Sequence, residues 1–214
     1  FIRVLFRSLI GIAGINVYIV RILKLPFDIS LHFYFFFFVG VIITGILKMF
    51  FYSSVGAGFL GTLGSSALLY VSIHWIILGN TINIPLLYIQ GLLLGFGASM
   101  TLVSGSMATL LDGDLKEAAQ RSQTMHTIRN FSAAMLIPII AYTIKNHIQK
   151  GTQSIYAENI TDKMIYLKKL QDVAIDADHQ IFLLMIIFNM VMFVSSIIQM
   201  ILGKGRRITP PRES

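Results

Sequence analysis

Gln123, His126, Arg129 and Asn130 fall at steps of three and four in an otherwise apolar stretch, so a helix there carries all four on one face. A cation inside a segment that must lie in lipid is costly and turns toward protein or water, which makes Arg129 the first candidate for a working residue. In that role it lines a substrate cavity together with His126 and Asn130. It can equally act at the helix end, reaching lipid phosphates or pairing with Asp112 or Asp114, with Arg121 beside them, to close a gate. A second group is made of small residues: Gly91, Gly95, Gly97, Ala98, Ser99, Ser104, Gly105, Ser106 and Ala108. Such spacing lets a neighbouring helix approach closely, and the same smoothness lets the helix slide and line a cavity, with Gly95, Ser99 and Ser104 as cavity candidates. Asn16, Tyr18 and Asn189 either reach a bound molecule or hydrogen-bond across helices.

Several chemistries are excluded. The 214 residues include no Cys, which removes disulfides, thiolate metal sites and a cysteine nucleophile. No His-x-x-x-His pair, Ser/His/Asp grouping or phosphate-binding loop occurs, so the reading is of a protein that is not an enzyme and has no cofactor. The formal net charge is +7, but the basic residues stand singly between apolar runs and build no stripe, so no nucleic-acid partner is expected.

The elements that carry these residues follow from hydropathy. With 55% hydrophobic residues, 13% charged residues and a mean hydropathy of +0.75, the chain is far more apolar than soluble domains, where roughly 25% of residues are charged. A bilayer core of about 30 Å takes about 20 helical residues. Residues 31–50, 56–79, 84–111 and 180–203 meet that length with at most one charge each. Residues 3–23 and 122–144 add two spans if their arginines reach the interfaces. Lys48, at the end of its span, is expected to snorkel. His74 with Trp75, and His32 with Tyr34, are expected to anchor span ends at the interface. The Phe35–Phe38 run is lipid-facing or packing bulk. The fold class is therefore all-α: a bundle of six transmembrane helices in the lipid bilayer, since barrel strands are about ten residues of alternating polarity.

Lys204, Arg206, Arg207 and Arg212 place the C-terminus in the cytoplasm, and alternation puts the 112–121 loop and the Lys48 turn on the same side. The 80–85 turn, without basic residues, falls outside. Residues 145–179 read as a long external loop before the last span, holding a short amphipathic helix through Ile160, Met164 and Leu167 or no regular structure. Residues 204–214 form a basic tail. No Asp or Glu lies within any of the six spans. The chain opens Phe-Ile-Arg without Met, and a piece of a longer polypeptide is expected.

Six helices with both ends inside and a long external loop before the last resemble the C-terminal half of a major facilitator superfamily transporter, most of all the fourteen-helix drug:proton antiporters. Tyr18–Pro26 is similar to a helix end and turn of that family, Gly91–Met100 to its glycine-rich cavity helix, and Ala119–Ser132 to the cytoplasmic entry of the next helix. Gly45-Ile-Leu-Lys48 stands where a degenerate loop motif falls. The resemblance implies proton-coupled export of hydrophobic or amphipathic small molecules by alternating access at a midplane site. It also implies a bacterial inner membrane, a proton gradient as driving force, a partnering N-terminal half, and a coupling carboxylate on that half. A transporter of sugar, lipid or metabolite, and a membrane scaffold that transports nothing, are the other expectations.

Overall fold

The computed structural model describes residue 19 and residues 25–77, 83–111, 117–157 and 163–202, with the side chains of His126, Arg129 and Asn130 outside the description. Among the described residues four helices follow in order: α1 (Phe27–Ile76), α2 (Ile84–Leu111), α3 (Ala118–Ala157) and α4 (Lys163–Leu202). No strand occurs among the described residues.

α1 is two helices in one run. Gly56 interrupts it at φ 76° and ψ 173°, a conformation open to glycine because it has no β-carbon. On the first arm (Phe27–Tyr52) Phe33, Phe37 and Lys48 meet Gly91, Gly95 and Ser99 of α2, so both chains ascend together. On the second arm (Ser54–Ile76) Ala57, Gly64 and Trp75 meet Ser104, Met100 and Gln90, one ascending as the other descends. The arms are therefore antiparallel, and the expected spans 31–50 and 56–79 are distinct crossings. α2 starts where Asn83 Oδ1 accepts the Leu86 N–H at 3.3 Å, with Pro85 in the first turn where no N–H is required.

α4 packs along the second arm in the opposite sense, with Phe182 beside Trp75, Asn189 at Leu68 and Ser72, Ser196 at Gly61 and Met200 at Gly58. Its buried stripe runs Asp178, Ile181, Phe182, Met185, Asn189, Met192 and Ser196. The opposite faces are bare and apolar, formed by Leu31, Phe35, Phe38, Ile42 and Ile46 on the first arm and by Leu183, Ile187, Val194 and Ile198 on α4. Stripes of that size are stable against acyl chains, not water. Among the described residues four helices are long and apolar enough to cross a bilayer: the two arms, α2 from Ile84 to Ser106, and α4. The architecture is thus all-helical and multi-pass. The expected 3–23 span lies outside the described residues. The 122–144 stretch is helical within α3 but is not one of those four.

The 145–179 loop is the main departure from expectation. Residues 145–157 continue α3 and residues 163–179 open α4, while 158–162 lie outside the described residues. These ends pair as an antiparallel helical hairpin, because Gly151 lets α3 close onto Val173 and His147 Nε2 lies 2.7 Å from Asp176 Oδ2. Ile155 and Ile175 are buried, whereas Met164 and Leu167 are exposed. The 40-residue α4 is about 60 Å long, roughly twice the hydrocarbon thickness. Its first half carries Lys163, Lys168, Lys169, Asp172, Asp176 and Asp178, and its second half carries no charge.

Candidate functional site

α2 lies between the two arms of α1 and meets both through glycine. On one side a β-carbon at Gly95 would run into the Phe37 carbonyl oxygen and lie 2.8 Å from its carbon, while one at Gly91 would sit 2.9 Å from Phe33 O. On the other side a β-carbon at Gly97 would stand 2.7 Å from Gly64 O, and one at Gly64 would stand 2.6 Å from Met100 Cβ. Backbones this close let polar groups bridge the seams. The Thr44 hydroxyl lies 2.9 Å from Gly40 O and 3.2 Å from Phe96 O, and Ser104 Oγ donates to Ala57 O.

Lys48 belongs to the same seam. Its Nζ donates to Ser99 O at 2.6 Å and to Ser99 Oγ at 3.2 Å. The amine expected to snorkel free is instead directed into the bundle, because neutral oxygens on the neighbouring helix are within reach of its stem. Ser99 lies four residues past the middle of the Ile84–Ser106 span, about 6 Å along the axis. An amine held in this way should be acylated by a small amine-reactive ester far more slowly than exposed Lys150 or Lys163. Peptide mapping after brief labelling of the folded protein reads this, and equal rates would mean that Lys48 is free.

The wall formed by the second arm and α4 holds two further polar groups. Asn189 Nδ2 donates to Ser72 Oγ at 2.6 Å and to Leu68 O at 3.1 Å, which is the bond across helices that the sequence left as one of two options. Trp75 Nε1 donates to Gln90 Oε1 at 2.8 Å, and Gln90 Nε2 lies 2.9 Å from His74 Nδ1. Trp75 is fully buried between Phe33 and Phe182, so it fills the core where an interfacial anchor was expected. His32 is exposed, and its Nδ1 lies 2.7 Å from Asp28 O.

Of the candidate residues, Gly95, Ser99 and Ser104 stand on α2 and are engaged in its seams. Asn16, Tyr18, Asp112 and Asp114 lie outside the described residues. His126, Arg129 and Asn130 sit on α3 by backbone alone, and Gln123 is exposed. Arg121 NH1 is 3.6 Å from Glu117 Oε2, one turn earlier.

No family model, curated protein or solved structure matches this chain. Any functional reading therefore rests on the chain's own residues. Among these, the sequence passed over Asp178, a carboxylate buried on the inner stripe of α4 with Oδ2 lacking a hydrogen-bond partner among the described residues. Its signal was available: it precedes Phe182 by four and Met185 by seven, in the same periodicity that orders the rest of the stripe.

Proposed function

We propose that this chain is a helical bundle of a secondary active transporter, similar in plan to the C-terminal half of a major facilitator protein. It moves hydrophobic or amphipathic small molecules, and a proton gradient drives it. The observation that carries this reading is the Lys48 amine, directed into the bundle and held by the oxygens of Ser99. Ionisable groups within membrane segments are rare, face the bundle interior or a water-filled cavity, and mark solute and ion paths. The glycine seams support it, since α2 presents little side-chain relief to either arm and the arms can shift across it. On this reading the membrane is a bacterial inner membrane with the C-terminus in the cytoplasm, and a second bundle completes the cavity.

The test is dye movement. Membrane vesicles carrying the protein and loaded with a lipophilic cationic dye should export it when a proton gradient is imposed, and a protonophore should abolish the export. Flux of a sugar, lipid or metabolite without dye movement would keep the transporter and change its substrate class. No flux of any of these would leave a scaffold whose seams only pack.

A further inference from the structure

Asp178 has 2% of its surface exposed, and its Oδ2 has no hydrogen-bond partner among the described residues. It lies one turn before Phe182, whose ring packs on Trp75 at 5.4 Å, and Trp75 packs on Phe33 at 6.3 Å. These three rings form one layer across α4 and both arms of α1. α4 and the first arm each run antiparallel to the second arm, so they run parallel to each other. Four residues back from Phe182 and three back from Phe33 therefore reach the same level, beyond the aromatic layer, at Asp178 and Ser30. Ser30 is 1% exposed, and its Oγ also lacks a partner among the described residues.

Two buried oxygens without partners on one level need an explanation. An ionised carboxylate left unpaired inside a protein is strongly disfavoured, and such a group takes up a neutralising ion. A multivalent metal is a poor fit, because no cluster of three or more His, Asp or Glu side chains occurs among the described residues. A proton suffices: it removes the charge that burial penalises and leaves a neutral acid. The other ionisable groups that the surrounding elements carry toward this end are Asp28 and His32 on the first arm and His74 on the second. α3 brings Lys145, which is exposed, and His147, and α4 brings Asp176 and His179. His147 is taken up by exposed Asp176, 2.7 Å away, and exposed Lys145 forms no ion pair among the described residues, so neither neutralises Asp178.

We propose that Asp178 is a proton-binding site of the bundle, loaded while α4 packs against α1 as it does here and emptied when that end of α4 parts from α1. In release the carboxyl O–H bond breaks, the electron pair stays on the carboxylate, and the proton passes to the water that enters. The site places the coupling carboxylate of the proposed transport on this chain, and it rests on that reading for the coupling alone.

Infrared spectroscopy of the 214-residue chain in lipid nanodiscs at neutral pH tests it. An ordinary aspartic acid is protonated to about one part in a thousand at pH 7, so its neutral-acid carbonyl band is invisible. The wild type should show that band, Asp178→Asn should remove it, and Asp172→Asn should leave it in place. Asp178→Glu, which retains the acid, should shift it, and this variant decides the matter if Asp178→Asn does not fold. A wild type without the band overturns the proposal, as does a band indifferent to both changes at position 178. In energised vesicles Asp178→Asn should lose the acceleration of dye export by the proton gradient, and full acceleration in that variant overturns the coupling role. A band assigned to Asp178 in a protein that transports nothing would sustain the proton site and remove the transport reading beneath it.

Discussion

Gly95→Leu is expected to unseat α2 from the first arm of α1. A side chain at position 95 points at the Phe37 carbonyl oxygen, with the carbonyl carbon 2.8 Å and the α-carbon 3.1 Å from the first added atom. These are backbone atoms of a helix, so no rotamer change makes room and the whole arm must move. Overpacking of a tight interior costs roughly 1–3 kcal/mol and occasionally more. Leucine should reach the top of that range, because the shift also pulls Thr44 from Phe96 O and Lys48 from Ser99. Gly45→Leu is the matched control, since nothing lies within 4 Å of its added β-carbon and the side chain enters lipid. There the loss of glycine from a helix should raise stability by up to about 1 kcal/mol. Thermal unfolding in detergent, followed by circular dichroism, should separate the two variants widely. Equal melting of Gly95→Leu and wild type would mean that the seam is looser than the backbone distances state.

The seam also shows what a sequence of this kind makes legible. Spans are easy because length and hydropathy suffice: the expected 84–111 helix coincides with α2, and the two arms match 31–50 and 56–79. Gly95, Ser99 and Ser104 were identified as small residues, but small residues pack in every direction alike. The sequence could not say that Gly95 serves the first arm while Gly97 serves the second, because that depends on how two antiparallel arms straddle α2.

The hairpin of α3 and α4 failed for a different reason. An amphipathic helix needs a partner to declare its buried face. Here the partners, Gly151 and Val173, stand far apart in sequence, with exposed Lys163, Lys168 and Asp172 between them. Reading that stretch as a loop hid Asp178, since a carboxylate in a loop requires no explanation and one on a buried stripe does. Asn189 was legible as a polar residue within a span, and only the fold decided that it bonds Ser72. Arg129 stays a reading of the sequence, because its side chain lies outside the described residues.

Trp75 carries the other large expected effect, and a pair of substitutions can dissect it. As the sole tryptophan it fills the layer between Phe33 and Phe182 with none of its surface exposed. An indole N–H only donates, so Gln90 must present its oxygen to Trp75 and its amide N–H to His74 Nδ1, which places the proton of neutral His74 on Nε2. Trp75→Ala empties the layer at a cost of about 3–5 kcal/mol. It also leaves the Gln90 oxygen without a donor, for about 1–3 kcal/mol more. The bundle should then melt well below the wild type. Trp75→Phe keeps most of the ring and should cost mainly the second amount. Adding Gln90→Leu to Trp75→Phe replaces both partners by apolar groups and should recover most of that loss, because an absent pair is cheaper than half of one. Gln90→Leu alone strands the indole N–H and should fall with Trp75→Phe. If the double variant melts lower than either single one, the two residues stabilise the bundle independently, and the hydrogen bond between them is not what holds the layer.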